Sequence, residues 1–288
     1  MDITATTRVV TLLGHPVEHS QSPRIHNTAF RAQDVNAIYV ATPVHAEDLR
    51  AAVDGLRALQ FLGANVTVPH KEAVCPLLDT VSERAAAVGA VNTIVRETRE
   101  EGPDRLRGDN TDVEGFLAPL DAVEASIDGA PMLVFGAGGA ARAVVYGLLD
   151  RYTPERLTLV ARRPEQAEQL AADLSGHDAQ DALRVTTFED AGPAVRSSRV
   201  LVNATPLGMA PNPEGTPWPE ANDFGSDQVA YDLVYAPEET RFLRDAAAQG
   251  ATPIGGLDML VEQAATAYAQ WTGCDMPRET VYNALRDA

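Results

Sequence analysis

The chain has 288 residues, 45% of them hydrophobic, and carries 41 Asp and Glu against 23 Lys and Arg. A formal net charge of -18 repels nucleic-acid phosphates and anionic membranes, which argues against both as partners. No apolar run approaches the roughly 20 residues of a membrane helix, and the stretch Met1–Thr4 lacks the basic start of a signal peptide, so a soluble cytoplasmic protein is expected.

Strand-like and helix-like segments alternate from end to end. Val9–Gly14 reads as a strand, Ser22–Ala32 as a helix, Ala37–Val44 as a strand, Ala46–Leu59 as a helix and Phe61–Val68 as a strand. A short helix near Lys71–Leu78 precedes a strand at Val91–Arg96, and another helix runs from Asp112 to about Ala122. A second series follows, with strand Met132–Gly136, helix Gly139–Tyr152, strand Arg156–Ala161 and helix Pro164–Leu174. Strands Arg184–Phe188, Val200–Ala204 and Val229–Val234 complete it, with a long Pro-rich loop at Ala210–Ser226. Helices Leu257–Thr272 and Arg278–Ala288 close the chain. Apolar strands alternating with amphipathic helices predict an α/β protein whose parallel sheets are covered on both faces. Two domains are expected: residues 1–112, completed by the returning helices at 257–288, and residues 113–256.

Of the 23 basic residues, 22 are arginine, and Lys71 is the only lysine. An acidic, Lys-poor composition fits a halophilic protein whose self-repulsion is screened by salt. A GC-rich genome is the alternative, and it explains the missing lysines but not the acid excess. Cys75 and Cys274 stand far apart with no CxxC or Cys/His cluster around them, and read as small buried residues in a reducing compartment. His15, His19 and His26 span a strand–turn–helix without a supporting acid or Cys cluster, so no metal site is expected.

"MLVFGAGGAARA" (Met132–Ala143) places Gly136, Gly138 and Ala141 in a G-x-G-x-x-A pattern between a strand and a helix, the context of a dinucleotide fingerprint. Gly136 permits the tight turn, Gly138 lets backbone amides approach a pyrophosphate, and the helix N-terminus favours the phosphates. An NAD site would place an acid at the end of the next strand to hold the ribose hydroxyl. Here the strand ends in Ala161, Arg162 and Arg163, which suits a 2'-phosphate and favours NADP, with NAD as the alternative.

"GANVTVPHK" (Gly63–Lys71) delivers Asn65 and Thr67 to one face, and Pro69 turns the chain so that Lys71 stands at the strand's carboxyl end. Lysine can release a proton when partly desolvated, whereas arginine stays charged. A surface salt bridge in this chain would use Arg, so Lys71 is expected to be chemical, with Asp112 of "GDNTD" (Gly108–Asp112) as its proton-transfer partner. Near the N-terminus, Ser20 and Ser22 flank a turn. Ser22 ahead of Pro23 reads as a helix N-cap or as part of a hydroxyl pair for a polyol or carboxylate.

Eight motifs in order make the chain resemble the shikimate dehydrogenase family over nearly its full length. They are "GHPVEHSQSPRIHN", "GANVTVPHK", "GAVNT", "GDNTD", "GAGGAARA", "NATPLGM", "DLVYAPEET" and "GGLDMLVEQAA". The resemblance implies a substrate-binding α/β domain and a Rossmann-type NADP-binding domain. It also implies reversible NADP-dependent reduction of 3-dehydroshikimate to shikimate in aromatic amino acid biosynthesis. It implies that Ser20 and Ser22 hold the substrate carboxylate, with Tyr235 at the same end. Thr67, Asn92, Asp112 and Gln263 would surround the ring hydroxyls, Asn65 would support them, and Lys71 with Asp112 would be the catalytic pair. On the cofactor side it implies a phosphate loop of Gly136, Ala137, Gly138, Gly139 and Ala140, with Arg162 beside the adenine. Leu233 and Gly256 would lie near the nicotinamide, and Met209 and Met259 would pack beside it. The family's N-R-[ST] is here Ala161–Arg162–Arg163, so Arg163 stands where a hydroxyl is usual. A quinate or quinate/shikimate dehydrogenase using NAD, and a non-catalytic sensor of the same fold, are the rival readings. Both a monomer and a homodimer fit.

Overall fold

A computed structural model of the chain describes residues 2–286. The chain divides into two compact units, one formed by Met1–Thr111 with Val261–Ala288 and the other by Asp112–Leu260.

In the first unit the order is β1 (Arg8–Gly14), α1 (Ser22–Ala32), β2 (Ala37–Pro43), α2 (Leu49–Ala58), β3 (Gly63–Val66), β4 (Thr80–Val81), α3 (Glu83–Val88), β5 (Thr93–Glu97) and β6 (Arg105–Asp109). These strands form a mixed six-stranded sheet in the order β2-β1-β3-β5-β6-β4. Strands β1, β2 and β3 are parallel, β5 runs against both β3 and β6, and β4 is parallel to β6. Two expectations are corrected here. The segment after Lys71 is a run of turns ending in a 3₁₀ turn at Cys75–Leu77, not a helix of full length. Ser22 is the first residue of α1 rather than its cap. Gln21 already has helical angles, and it is Ser20 whose Oγ accepts from the Ser22 N–H at 3.2 Å.

The second unit continues with α4 (Asp112–Leu117), α5 (Glu124–Ile127), β7 (Met132–Phe135), α6 (Gly139–Tyr152), β8 (Leu157–Val160), α7 (Pro164–Leu174), β9 (Leu183–Thr186), α8 (Gly192–Ser197), β10 (Val200–Asn203), β11 (Val229–Asp232), α9 (Arg241–Ala248) and β12 (Thr252–Ile254). The helix expected from Asp112 to Ala122 stops at Leu117 and passes into 3₁₀ turns, with Pro119 in their first turn. All six strands are parallel, in the order β12-β11-β10-β7-β8-β9. Every residue of β7, β8, β10 and β11 is buried, as a sheet covered on both faces requires.

The chain ends with α10 (Gly256–Thr272) and α11 (Arg278–Arg286). The C-terminal part of α10 docks on the first sheet through Trp271, whose Nε1 donates to the Ile94 carbonyl at 3.0 Å. Gly63 makes room for it: a Cβ there would lie 2.3 Å from Trp271 Nε1. Helix α11 packs against α1, and Tyr268 donates to Gln33 at 2.7 Å. The cysteine expectation also fails in part, because Cys75 is half-buried and Cys274 is exposed.

His26, on α1, is fully buried against Tyr268 and Trp271 of α10 and stacked 4.6 Å from Tyr39, and neither ring nitrogen has a partner among the described residues. Burial drives its pKa down to about 3. The unfolded chain titrates this group near 6.5, so it binds the proton first as the pH falls. The stability tied to a neutral His26 is therefore present above about pH 6.5 and is withdrawn progressively toward pH 3. Between pH 6.5 and 5 this amounts to about 2 kcal/mol. His26→Leu should become more stable relative to the wild type by about that amount over the same range. Paired urea titrations at the two pH values check it; a constant difference would contradict the assignment.

Candidate active site

Each unit gathers its predicted residues at one edge of its own sheet. In the first, strand directions place the C-terminal ends of β1, β3 and β6 together with the start of β5. Ser20 and Ser22 follow β1, Thr67 and Lys71 follow β3, Asn92 precedes β5, and Asp109–Thr111 end β6. The loops are tightly joined. His15 N–H donates to the Val68 carbonyl at 3.0 Å, and Thr67 N–H donates to the Leu13 carbonyl at 2.9 Å. A Cβ on Gly14 would stand 2.3 Å from the Thr67 methyl, so glycine lets these two connections touch. His70 is buried with Nε2 2.7 Å from the Val44 carbonyl, which pins the turn just before Lys71.

Lys71 is half-buried, and its carbonyl accepts from the Val91 N–H at 2.8 Å. That bond sets the lysine backbone beside the segment bearing Asn92. Asn92 is buried; its Oδ1 accepts from the Thr111 N–H at 2.8 Å and its Nδ2 donates to Thr111 Oγ1 at 3.0 Å. Asp112 follows Thr111 by one peptide bond, so this contact fixes where β6 hands the chain to the second unit. Asn65 does not line an open face, because its amide is consumed by Tyr39, Asn92 and Thr93.

The GDNTD turn has its own anchor, which the sequence reading missed. Asp109 takes Arg84 Nη2 on both oxygens at 3.0 Å, Ser82 Oγ at 2.5 Å, Gln270 Nε2 at 2.7 Å and the Asn110 N–H at 2.8 Å. Burial raises the Asp109 pKa, but Ser82, Arg84, Gln270 and the Asn110 N–H outweigh it, and the net shift is downward. Gln270 lies two helical turns after Gln263, on the same face of α10. The Asp109–Gln270 bond therefore sets the register of the helix that carries Gln263. Asp112 and Tyr235, expected around the same substrate, belong to the second unit. Asp112 is buried at the first position of α4, and Tyr235 is half-buried with its phenol pushed up by desolvation.

In the second unit the strand order reverses between β7 and β10, the switch point where doubly wound sheets bind nucleotides. The turn from β7 to α6 stands there. Gly136 has φ +114°, and a Cβ would approach the Ala204 carbonyl to 3.0 Å, so only glycine suits the position. Gly138 precedes α6, and a Cβ there would meet nothing within 4 Å, which leaves its backbone open to a ligand. Ala137 and Ala140 are half-buried, Gly139 opens the helix and Ala141 is buried against the core. Ala161 is buried at the end of β8, while Arg162 and Arg163 are exposed and form no ion pair among the described residues. Open backbone amides at a helix start, two available guanidinium groups and no acid at the strand end fit a phosphorylated dinucleotide such as NADP.

The loops after β10 and β11 are held by a buried carboxylate. Asp232 accepts from Asn203 Nδ2 at 2.9 Å, the Val234 N–H at 2.9 Å and Thr240 Oγ1 at 2.6 Å. Desolvation pushes its pKa up to about 6 despite these three donors. Gly256 is pressed against the Leu233 carbonyl, which a Cβ would reach at 2.4 Å. Met209 is exposed and Met259 is buried in the second unit's core, so only Met209 offers an open surface.

A Rossmann-type nucleotide-binding unit, joined to a mixed-sheet unit whose edge gathers a lysine with hydroxyl and amide side chains, defines a dinucleotide-dependent oxidoreductase. Comparison with known proteins narrows this class. The family model for the shikimate dehydrogenase substrate binding domain matches residues 12–94, and that for the shikimate 5'-dehydrogenase C-terminal domain matches residues 256–286. An NADP(+) shikimate dehydrogenase of Salinibacter ruber is 71% identical over 288 residues, covering 99% of each chain. A solved shikimate dehydrogenase in complex with NADP+ superposes with a TM-score of 0.90 at 36% identity, covering 99% of this chain and 97% of that one. The shikimate 5-dehydrogenase of Thermus thermophilus, solved with NADP(H) and shikimate, has a TM-score of 0.83 at 38% identity, covering 97% and 99%. The chain belongs to the shikimate dehydrogenase family.

Proposed function

We propose that the protein catalyses the reversible NADP-dependent reduction of 3-dehydroshikimate to shikimate, a step of aromatic amino acid biosynthesis. The observation that carries this reading is the position of the only lysine, Lys71, at the edge where Asn92 and Thr111 interlock. The names of the relatives at 71% and 46% identity support it. Ser20 and Ser22 receive the substrate carboxylate together with Tyr235, and Thr67, Asn92 and Gln263 take the ring hydroxyls. Lys71 exchanges the proton on the C3 oxygen, and Asp112 orients the C4 hydroxyl. Bound NADP supplies hydride exchange at nicotinamide C4. The backbone of Gly136, Ala137, Gly138, Gly139 and Ala140 takes its pyrophosphate, Arg162 and Arg163 its 2'-phosphate, and Leu233 and Gly256 lie on the nicotinamide side.

The cofactor assignment has a direct test in Arg162→Ala. Loss of one charge-assisted hydrogen bond to the 2'-phosphate should lower kcat/KM with NADP+ by about 10- to 100-fold and leave that with NAD+ nearly unchanged. Initial rates at 340 nm with each cofactor decide it. An equal loss with both would mean that Arg162 does not read the phosphate.

A further inference from the structure

We propose that Tyr39 is a positioning residue for the substrate. It acts through a buried chain of hydrogen bonds running from Tyr39 through Asn65 and Thr93 to Asn92 and Thr111. The inference rests on the function proposed above and deepens it. Tyr39 stands on β2, Asn65 on β3 and Thr93 on β5, so the chain crosses the sheet beneath the edge that gathers the candidate residues. Tyr39 Oη donates to Asn65 Oδ1 at 2.8 Å. Asn65 Nδ2 donates to the Asn92 carbonyl and to Thr93 Oγ1, each at 3.1 Å. Thr93 Oγ1 donates in turn to Asn92 Oδ1 at 3.0 Å, and Asn92 Nδ2 donates to Thr111 Oγ1 at 3.0 Å.

The Asn92 carbonyl fixes the orientation of Asn65. A carbonyl only accepts, so Asn65 must turn its Nδ2 toward the Asn92 backbone and its Oδ1 toward Tyr39. Thr93, receiving from Asn65, gives its proton to Asn92 Oδ1. The Asn92 amide oxygen is thus held by Thr93 Oγ1 together with the Thr111 N–H, and its nitrogen is turned toward Thr111 Oγ1, in the residue before Asp112. The Tyr39 phenol thus stands three hydrogen bonds from Asn92, a residue assigned to the ring. Tyr39 is itself immobilised: its backbone exchanges two 2.8 Å bonds with the Asn27 side chain, and its ring stacks on His26. No member of the chain is more than 6% exposed. A buried network of this kind holds its groups in one arrangement only while every link is made.

Tyr39→Phe keeps the ring and removes the link. Thr93→Val breaks the chain further along with a side chain of the same branching, and it decides the matter if the first variant does not fold. Tyr268→Phe is the control, since it removes a phenol hydroxyl from the same aromatic cluster but off the chain, where Tyr268 donates to Gln33. The wild type is first assayed with shikimate and NADP+; no turnover would defeat the function itself rather than this inference. Given turnover, Tyr39→Phe and Thr93→Val should each raise the KM for shikimate about three- to tenfold, the worth of one net hydrogen bond. The KM for NADP+ should stay within about twofold, and Tyr268→Phe should leave both constants unchanged. A shikimate KM raised less than about threefold in the chain variants, or raised equally by the control, would overturn the proposal.

Discussion

Lys71→Arg should lower kcat for shikimate oxidation by about 10²- to 10⁴-fold, the usual worth of a positioned general acid–base group. The KM for shikimate should change little, because the positive charge and its hydrogen-bond donors remain. What is lost is the transferable proton, since a guanidinium stays charged at any working pH. The chain supplies its own control for this substitution. Every other cation is an arginine, so arginine is compatible with its solvent, its fold and its codon usage. The backbone of Lys71 is held by the Val91 N–H and its neighbour His70 is clamped on Val44, so the substitution leaves the supporting turn intact. A variant with near-normal kcat would show that Lys71 holds the substrate only by charge.

Gly256→Ala should raise the KM for NADP+ by about tenfold or more and lower the melting temperature. The added methyl would lie 2.4 Å from the Leu233 carbonyl oxygen, 2.6 Å from its carbon and 2.8 Å from the Val234 carbonyl carbon. All three are backbone atoms, so no side chain can rotate away, and the loop itself must shift. Overpacking of this kind costs about 1–3 kcal/mol. That loop is already fixed from beneath by Asp232 through the Val234 N–H and Thr240. Strain therefore falls on Leu233, the position assigned to the nicotinamide side. Steady-state kinetics with the cofactor varied, together with a thermal melt, measure both consequences. A normal KM for NADP+ in a destabilised variant would remove Leu233 and Gly256 from the cofactor site.

The longer helices were legible in both units, and Ser22–Ala32 of the first unit matches its expected bounds. Helices Gly139–Tyr152 and Pro164–Leu174 match the sequence reading residue for residue, because a glycine turn and a helix-starting proline punctuate them. The segments not foreseen are short or charged: α3 and α8 have six residues each, α9 eight, α5 four, β12 three and β4 two, and β6 reads RLRGD. Their formation depends on partners distant in sequence, as when β6 pairs with β5 and Asp109 finds Arg84 and Gln270. Local signals existed for α3 in the Ser82 cap, which accepts from the Ala85 N–H, and in Gly89 at φ 72°. Among the candidate residues, composition alone singled out Lys71. Tyr39 and Thr93 escaped notice because their significance lies in hydrogen bonds that span strands, with no spacing in the chain to announce them. Ser22 was misassigned as a cap because Gln21 carries no feature that marks it as already helical.

Hydride transfer from substrate to cofactor is tested most directly with shikimate deuterated at C3, incubated with NADP+ and the purified protein, with the nucleotide product examined by mass spectrometry. The expected product is NADPH carrying one deuteron, formed together with 3-dehydroshikimate in equal amount. Unlabelled NADPH, or no reduction of NADP+ while NAD+ and quinate react, would contradict it.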